Sequence, residues 1–444
     1  YVLLICLCVF FYLFLFIKNI TFNKLKKYYL INVVSLIVLL YFIGKPSIYH
    51  DIYHNLGFKY VNWDLKRTAR ENSFINHLLY DEFERIKVLN SLNSYSDSLL
   101  DLKIDFNRKA NKNIHLIVLE SFFNPETLSE IKFSKSPIHP EFKKIFQHSN
   151  HIISPVYGGG TAQAEFELLT SAPAKSEFSS IEFNLFTGAK TYSLPFVLNQ
   201  LEYKTIATNG YKPYIFNSSN SYKGLGFNEQ HYVNRSSYLS KNPEDLYIPD
   251  SDLLSQNLNY IKYTFFKKNR EPIFNYIMGM YGHYPFIIDY KKTPKVIKAT
   301  YKGKEVGEEM INYCNQIYYR TKGVAKYISN LLKIDPESLI IVLGDHLPPI
   351  TNIKKYGCKN IYQNNFFMLD SGHEIKFKDT INFYNLPQEI LKRINNSTLN
   401  DVNKDDFKGL FQITNRLFHK WNDNSLPCHT DDAELATRFA NYPI

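Results

Sequence analysis

The sequence predicts an α/β fold with a mostly parallel central sheet, helices on both faces, and transmembrane helices before the sheet. Strands that alternate with helical stretches are typical of a parallel sheet covered on both faces. Three apolar runs support this prediction, because each leads to side chains of the kind that bind metals or phosphate. The runs are residues 114–120 ending on Glu120, 273–279 leading to His283, and 339–344 followed by Asp345 and His346. Since ligands of open α/β sheets bind outside the carboxyl ends of the strands, one convergent site is expected.

Composition and net charge indicate which kind of molecule the protein is expected to bind. The 444 residues carry a net charge of +10 and are 45% apolar, enough for one large domain or two ordinary ones with a sizeable core. The positive charge favours a negatively charged partner. No zinc-finger spacing, RNA-recognition signature or Arg-rich block occurs, so nucleic acid is not the expected partner. No CxxC occurs either, so neither a zinc knuckle nor a thioredoxin-type site is indicated.

Two transmembrane helices are predicted in residues 1–44. Residues 1–17 are apolar throughout and residues 28–44 nearly so, and each run is close to the roughly 20 residues of a spanning helix. The intervening loop contains Lys18, Lys24, Lys26 and Lys27. By the positive-inside rule this loop is cytoplasmic, and the rest of the chain lies on the periplasmic or extracellular side. Because the chain starts with Tyr1, we expect these to be the last spans of a larger set. A signal peptide at 1–17 is the alternative, disfavoured because no basic segment precedes it.

Three further regions follow the predicted spans. Residues 45–110 are predicted to be a membrane-proximal helical connector, with a helical pattern from Phe74 to Leu89. Residues 111–390 contain the alternating strands and helices and form the predicted catalytic domain. Residues 391–444 are rich in Asn and Asp and are predicted to be an extension that packs on the catalytic domain.

The elements of the catalytic domain are predicted in a definite order. The long helix at 308–332 has an apolar stripe at Val324, Ile328, Leu331 and Leu332, which is typical of a helix packed on a sheet. The predicted order is strand 114–120, helices 161–170 and 193–201, strands 204–208 and 273–279, helix 308–332, strand 339–344, and a helix from Leu386.

Glu120, Asp345 and His346 are candidate metal ligands. The Asp-His pair offers one hard oxygen ligand and one imidazole, which suits Zn, Mn or Mg. A carboxylate at Glu120 would be costly to desolvate unless it were paired or bound to a metal. The alternatives are that Asp345 caps a helix or forms a turn and that Glu120 emerges into solvent.

Thr161 is a candidate nucleophile at the start of a predicted helix. It follows Gly158, Gly159 and Gly160, and glycine lets a backbone approach a ligand closely. The free N–H groups and the dipole of a helix N-terminus favour a phosphate or a sulfate. A metal-bound hydroxyl loses its proton more readily and can attack such an ester. The alternative is an ordinary Thr N-cap after a flexible loop.

His283 is the fourth candidate. Its imidazole could donate a hydrogen bond to a phosphoryl oxygen or protonate a leaving group. The alternative is a histidine that is simply packed or solvated in its aromatic loop, Gly282-His-Tyr-Pro-Phe286.

Together these residues resemble the alkaline phosphatase/sulfatase superfamily, and within it the membrane-anchored phosphoglycerol transferases of the lipoteichoic acid synthase type. The resemblance covers about residues 110–390. The family's motifs are matched by Glu120-Ser121-Phe122, Gly159-Gly160-Thr161 with Glu165-Phe166, His283-Tyr284-Pro285-Phe286, and Gly344-Asp345-His346.

The resemblance implies a role for each of these residues in a sulfatase-like fold. Thr161 would be the nucleophile and, with the metal ligands Glu120, Asp345 and His346, would hold one divalent ion, Mn or Mg with Zn as a possibility. His283 would bind the substrate phosphate, with Gly160 beside it. The family's glycerol phosphate-binding Trp and Arg are replaced here by Phe216 and Ser218, which leaves the transferred group open.

The resemblance also implies a function. The expected activity is transfer of a phosphoglycerol group from a phospholipid, phosphatidylglycerol, to a surface glycan or lipid-linked sugar through a phosphothreonine intermediate. Phosphoethanolamine transfer and a sulfatase or phosphodiesterase-type hydrolase are the alternatives, and a non-catalytic binding module is a further one. Sulfatases make formylglycine from Cys or Ser, and Thr161 at this place disfavours that reading.

Overall fold

The computed structural model describes most of the chain between residues 45 and 394. The described ranges are 45–61, 64–92, 112–171, 193–233, 247–265, 271–290 and 293–394, with residues 34, 37, 38, 41, 174 and 182–185. Residues 1–33, most of 34–44, and 395–444 lie outside them. The predicted spans and nearly all of the predicted C-terminal extension therefore remain predictions. None of the helices in the described ranges has both the length and the apolarity to cross a bilayer.

The chain divides into two compact units, Tyr1–Tyr60 with Thr68–Ser91, and Val61–Arg67 with Leu92–Ile444. The helices between residues 46 and 92 are α1 (Pro46–Asn55), α2 (Leu65–Asn72) and α3 (Phe74–Leu92). In the first unit the ring of Tyr80 packs against those of Tyr53 and Tyr60, with centroids 4.6 and 4.2 Å away. Helix α3 confirms the helical pattern predicted from Phe74.

The second unit contains the central sheet. Within the described ranges nine strands form this sheet, in the order β12-β3-β10-β9-β1-β6-β4-β5 with β11 beside β10, and β2, β7 and β8 form a small second sheet. The strands are β1 (Ile114–Leu119), β2 (Ile131–Phe133), β3 (Asn150–Ile153), β4 (Lys204–Asn209), β5 (Glu229–Tyr232), β6 (Ile273–Gly279), β7 (Ala299–Tyr301), β8 (Lys304–Glu305), β9 (Leu339–Gly344), β10 (Gln363–Asp370), β11 (His373–Glu374) and β12 (Ile381–Asn382).

The centre of the sheet is parallel and its strands end level with one another. Strand β1 lies between β6 and β9, and Leu119 at its end pairs with Gly279 on one side and Gly344 on the other. Strand β10 runs antiparallel to β9 and β3. The α/β class and the mostly parallel sheet are confirmed, with an antiparallel strand that the sequence did not predict.

Helices cover both faces of the sheet, as predicted. Leu116 and Val118 of β1 belong to a buried cluster that includes Phe166, while Ile117 and Leu119 belong to a second cluster that includes Ile328. Alternate residues of one strand therefore enter two different cores, which explains the continuous apolar runs. The helices of this unit are α4 (Pro140–Ile145), α5 (Thr161–Thr170), α6 (Glu182–Leu185), α7 (Leu194–Gln200), α8 (Ser218–Gly224), α9 (Asp250–Phe265), α10 (Glu308–Ile334) and α11 (Leu386–Ile394).

Candidate active site

The carboxyl ends of β1 and β9 bring Glu120 and Asp345 side by side. Both residues come directly after their strands, and the parallel register sets those strands level. The chain beyond β1 lies tightly against the end of β9, because a Cβ at Gly344 would collide with the carbonyl oxygen of Phe122. Only glycine fits there, which gives the Gly-Asp-His sequence a structural reason.

Glu120, Asp345 and His346 form one buried cluster. One ligand atom from each of them lies within 4.8 Å of the others. The Nε2 atom of His346 lies 3.2 Å from Oε1 of Glu120 and 3.3 Å from Oδ2 of Asp345. Three side chains predicted from two distant segments of the sequence therefore converge at one point.

Each member of this cluster keeps a ligand atom directed at the others. The Nδ1 of His346 donates to the carbonyl oxygen of Leu347 over 2.9 Å, which leaves the lone pair on Nε2. The Oδ1 of Asp345 accepts the backbone N–H groups of Ser121 and His346, both at 2.8 Å. Neither Oδ2 of Asp345 nor Nε2 of His346 has a hydrogen-bond partner among the described residues. Orphaned oxygen and imidazole atoms in this arrangement fit a divalent cation.

The electrostatics of the cluster favour a positive charge among the three side chains. Burial and the nearby charge of Glu120 raise the pKa of Asp345 to about 7. Burial would lower the pKa of His346, but Asp345 and Glu120 outweigh it and raise this pKa to about 9. Burial also opposes ionisation of Glu120, yet the charge of His346, the charge of His283 and the hydrogen bond from Thr161 hold its pKa below the usual range. An imidazolium proton or a divalent cation can supply the positive charge.

Thr161 lies against this cluster at the first residue of α5. Its hydroxyl donates to Oε2 of Glu120 over 2.9 Å and is buried. The residue before it, Gly160, has φ of +86°, and a Cβ there would lie 2.8 Å from Cγ1 of Val156. The turn therefore requires glycine at this position. Gly158, also at positive φ, donates its N–H to the Leu347 carbonyl over 3.1 Å.

His283 lies on the loop after β6, the neighbour of β1. Its Nδ1 donates to the carbonyl oxygen of Tyr284 over 2.6 Å, so Nε2 is the nitrogen that remains for a ligand. The ring of Tyr247 stacks on the imidazole with 5.1 Å between centroids. The residue before His283, Gly282, lies tightly against the Glu120 carbonyl, because an added Cβ there would collide with that oxygen. Nothing in the local sequence pattern marks Tyr247 as a site residue, so it was not among the predicted ones.

Phe216 lies in the segment after β4 and Ser218 is the first residue of α8. Phe216 adopts φ of +53° and packs, half buried, against the core cluster of Phe166. The Ser218 hydroxyl donates to the carbonyl oxygen of Pro213 over 3.3 Å and lies 3.1 Å from the hydroxyl of Tyr232. These bonds hold the loop together. The substrate-binding roles of Phe216 and Ser218 remain predictions.

Glu165 is a buried acid one turn beyond Thr161. Its Oε1 accepts hydrogen bonds from the hydroxyls of Tyr276, at 2.7 Å, and Tyr222. Burial raises its pKa to about 7. The sequence placed Glu165 on the helix after the nucleophile, but the two tyrosines come from distant segments, β6 and α8. These bonds fix α5 to the sheet.

Comparison with known proteins agrees with this geometry. The sequence profile of the Sulfatase family matches residues 112–398, more than half of the chain. By sequence the chain is 26% identical over 249 residues to the lipoteichoic acid synthase of Staphylococcus aureus, a match covering 53% of this chain and 36% of that protein. The chain spans less than half the length of the curated relatives it matches.

Two solved structures share the fold. One is the Streptococcus pyogenes phosphoglycerol transferase in complex with sn-glycerol-1-phosphate, with a TM-score of 0.54 and 20% identity, covering 76% of this chain and 92% of that one. The other is the Listeria monocytogenes lipoteichoic acid synthase, with a TM-score of 0.52 and 18% identity, covering 68% and 78% respectively. The resemblance predicted from the four motifs is confirmed, and the chain belongs to the sulfatase family.

Proposed function

We propose that the protein is a membrane-anchored, metal-dependent transferase that moves a phosphoglycerol group from phosphatidylglycerol to a hydroxyl of a surface glycan or lipid-linked sugar. The observation that carries this proposal is the contact between the Thr161 hydroxyl and Glu120, 2.9 Å apart, beside Asp345 and His346. A hydroxyl at a helix N-terminus beside a metal-type cluster is suited to attack on a phosphate ester.

Four residues would bind the divalent cation: Glu120, Asp345, His346 and, through its hydroxyl oxygen, Thr161. When bound, the cation would lower the pKa of that hydroxyl and offset negative charge on the phosphoryl oxygens. The lowered pKa of Glu120 keeps it a carboxylate, so Glu120 serves as a ligand rather than as a strong base. Mn or Mg suits the two carboxylate ligands, and the imidazole also admits Zn.

The first half of the reaction would form a phosphothreonine ester. The donor phosphate would lie between the cluster and Nε2 of His283, with the N-terminal N–H groups of α5 and Gly160 beside it. Oγ1 of Thr161, having released its proton to solvent when the cation binds, would attack phosphorus, and the bond from phosphorus to the diacylglycerol oxygen would break. His283, when protonated, donates its Nε2 proton to that leaving oxygen.

In the second half the same steps would run in reverse, with a sugar hydroxyl in place of the diacylglycerol hydroxyl. A sugar hydroxyl attacks the phosphorus of the ester, its proton passes to Nε2 of His283, and the Thr161 oxygen leaves. The enzyme is thereby regenerated and phosphoglycerol is joined to the sugar. Because both halves use the same atoms in opposite order, one set of ligands serves both.

The comparisons support glycerol phosphate as the group. A protein of the same fold has been captured with sn-glycerol-1-phosphate, and the similar Staphylococcus aureus protein is a lipoteichoic acid synthase. The spans predicted in residues 1–44 support anchoring on the outer face of the cytoplasmic membrane, where they would hold the site close to its lipid donor. Phosphoethanolamine remains the alternative group because Ser218 replaces the family's Arg.

The decisive experiment is mass analysis of Thr161 after the protein is incubated with Mn²⁺ and phosphatidylglycerol or phosphatidylethanolamine. A phosphoglycerol adduct on Thr161, with diacylglycerol released, is the expected result. Thr161→Ala should form no adduct and release no diacylglycerol. Equal diacylglycerol release by wild type and Thr161→Ala would refute the nucleophile, and an ethanolamine phosphate adduct would change the assigned group.

A further inference from the structure

Arg320 lies buried behind the cluster, in the middle of α10. Its Nε donates to Oδ2 of Asp250 over 2.6 Å, and its Nη2 donates to the carbonyl oxygen of Glu120 over 2.8 Å. Arg320 is 2% exposed and Asp250 is 1% exposed. One guanidinium group therefore joins the middle of α10, the first residue of α9 and the backbone of a candidate metal ligand.

The same guanidinium also packs against the loop that carries His283. A Cβ at Gly282 would collide with both Nη1 of Arg320 and the carbonyl oxygen of Glu120. The peptide just before His283 is therefore in close contact with Arg320. The guanidinium also lies 5.3 Å from the ring centroid of Phe122. Arg320 thus contacts the segments on both sides of the candidate site, after β1 and after β6.

Stability alone is a poor explanation for this pair. Removing two charges from water is costly, and an apolar pair of similar volume is often as stable or more so. Burial raises the pKa of Asp250 in spite of the neighbouring Arg320. Oδ1 of Asp250 and Nη1 of Arg320 also have no hydrogen-bond partner within the described part of the chain. An incompletely satisfied pair at the functional edge of the sheet indicates a role in placing other groups.

We propose that Arg320, held by Asp250, is a positioning residue that sets the distance between Glu120 and His283. This inference rests on the proposed function, in which Glu120 binds the cation and His283 binds the donor phosphate. The guanidinium of Arg320 bonds to Asp250 and to a backbone carbonyl rather than to the side chains that would bind the cation. It acts through the Glu120 carbonyl and through Gly282, so its loss should loosen cation binding and misalign the phosphate.

Two variants test the proposal in the full-length protein. Arg320→Lys keeps a charge for Asp250 but cannot reach Asp250, Glu120 and Gly282 together, because it lacks the planar fork. Arg320→Met combined with Asp250→Asn removes both charges, so no unpaired charge stays buried. Mn²⁺ affinity is measured by electron paramagnetic resonance without any donor lipid. The melting temperature, and kcat and KM at saturating Mn²⁺, are measured alongside.

Both variants should melt within a few degrees of the wild type and bind Mn²⁺ roughly 10- to 100-fold more weakly, the range seen when a partner of a metal ligand is removed. Saturating Mn²⁺ should restore only part of kcat, because the His283 loop is still misplaced. Wild-type Mn²⁺ affinity and kcat in Arg320→Lys would overturn the proposal, as would the same result in the double variant. If the double variant does not fold, Arg320→Lys decides alone.

A matched control is present near the other end of β1. Lys112 pairs with Asp370 at the amino end of the central strands, away from the cluster. Lys112→Met combined with Asp370→Asn should leave Mn²⁺ affinity unchanged. An equal loss of affinity in this control would attribute the effect to general destabilisation and overturn the inference. Because Mn²⁺ titration needs no donor, it remains valid even if no phosphoryl group is found on Thr161.

Discussion

The phenol ring of Tyr247 stacks on the imidazole of His283, with 5.1 Å between the centroids and 30° between the planes. The hydrogen bond from Nδ1 to the Tyr284 carbonyl holds one edge of the same imidazole. The other face of the stack continues to Tyr211, whose ring centroid lies 5.2 Å from that of Tyr247. The histidine is therefore fixed in plane and in rotation, with Nε2 directed away from its own loop.

Removal of the Tyr247 ring should impair substrate binding by His283. An aromatic pair of this kind contributes about 0.5–1.5 kcal/mol, so Tyr247→Leu should lower kcat/KM by roughly 2- to 10-fold. Tyr247→Phe keeps the ring and should retain activity. Steady-state kinetics with phosphatidylglycerol measures both. An equal loss in the two variants would mean that the hydroxyl, rather than the stack, is what matters.

The turn before Thr161 should tolerate no side chain. Gly160→Ala forces a Cβ to φ of +86° and 2.8 Å from Val156, so the loop must shift. Because a displacement of about 1 Å at a reacting group can cost roughly 100-fold, activity should fall by at least about 10-fold. Gly303→Ala is the matched control, since Gly303 has φ of +78° with no atom within 4 Å of the added Cβ.

Both glycine substitutions should lower the free energy of unfolding. The Gly303→Ala control measures the part of that loss that comes from the backbone conformation alone. The left-handed conformation alone costs roughly 1–2 kcal/mol, and Gly303→Ala should lose about this much free energy of unfolding with full activity. Gly160→Ala should lose more, because the contact with Val156 adds strain. Full activity in Gly160→Ala would show that the loop can move without displacing the hydroxyl of Thr161.

Asp345→Asn should abolish the stabilising effect of metal binding and should stabilise the metal-free protein. The substitution removes one of two buried like charges and with it the repulsion between Asp345 and Glu120. In the presence of a chelator at pH 8, Asp345→Asn should therefore melt at a higher temperature than the wild type. Added Mn²⁺ should raise the melting temperature of the wild type but not that of the variant. A variant that is still stabilised by Mn²⁺ would contradict a ligand role for Asp345.

Glu165 should make the free energy of unfolding depend on pH. Burial raises its pKa from an ordinary value of 4.5 to about 7, so between these values the folded state holds a proton that the unfolded state has released. The contribution of Glu165 is therefore fully present below pH 4.5 and is lost as pH rises through 7. The change is at most about 3.5 kcal/mol, since each pKa unit corresponds to about 1.4 kcal/mol.

Glu165→Gln removes this titration and keeps the shape. The free energy of unfolding of the wild type relative to Glu165→Gln should fall between pH 5 and pH 8, as measured by urea unfolding with a chelator present. Tyr222→Phe is a useful companion, because it deletes one hydroxyl that donates to Glu165 while leaving the carboxylate in place. A difference that does not change with pH would show that Glu165 is already ionised in the folded protein at pH 5.

The central strands could be predicted because their burial is visible in the sequence. Strands β1, β6 and β9 are covered by helices on both faces, so nearly all of their residues are apolar without alternation, His115 and Asn275 being the exceptions. The polar residues Glu120 and Asp345 directly follow the first and the last of these strands. The candidate metal ligands followed from those end points. The parallel pairing of β1 with both neighbours then placed Glu120 beside Asp345.

The antiparallel strand β10 could not be predicted in the same way. Strand β10 includes Asn364 and Asn365, which are fully buried and break the apolar run that would have marked a strand. Arg320 and Tyr247 were missed for a related reason. A charged residue in a long helix and a tyrosine in a connecting segment look solvent-exposed, and only the tertiary packing brings them to the site.

The carbonyl oxygen of Leu347 accepts hydrogen bonds from two places at once, the Nδ1 of His346 and the N–H of Gly158. A single peptide unit thus sets the tautomer of one side chain and closes the turn that leads to another. Every natural amino acid at position 347 supplies the same carbonyl group, so exchange of the Leu347 side chain leaves this coupling in place. Scanning mutagenesis of side chains would therefore not detect this coupling. Replacement of the amide linkage by chemical synthesis would show how strongly the His346 imidazole and the glycine turn depend on each other.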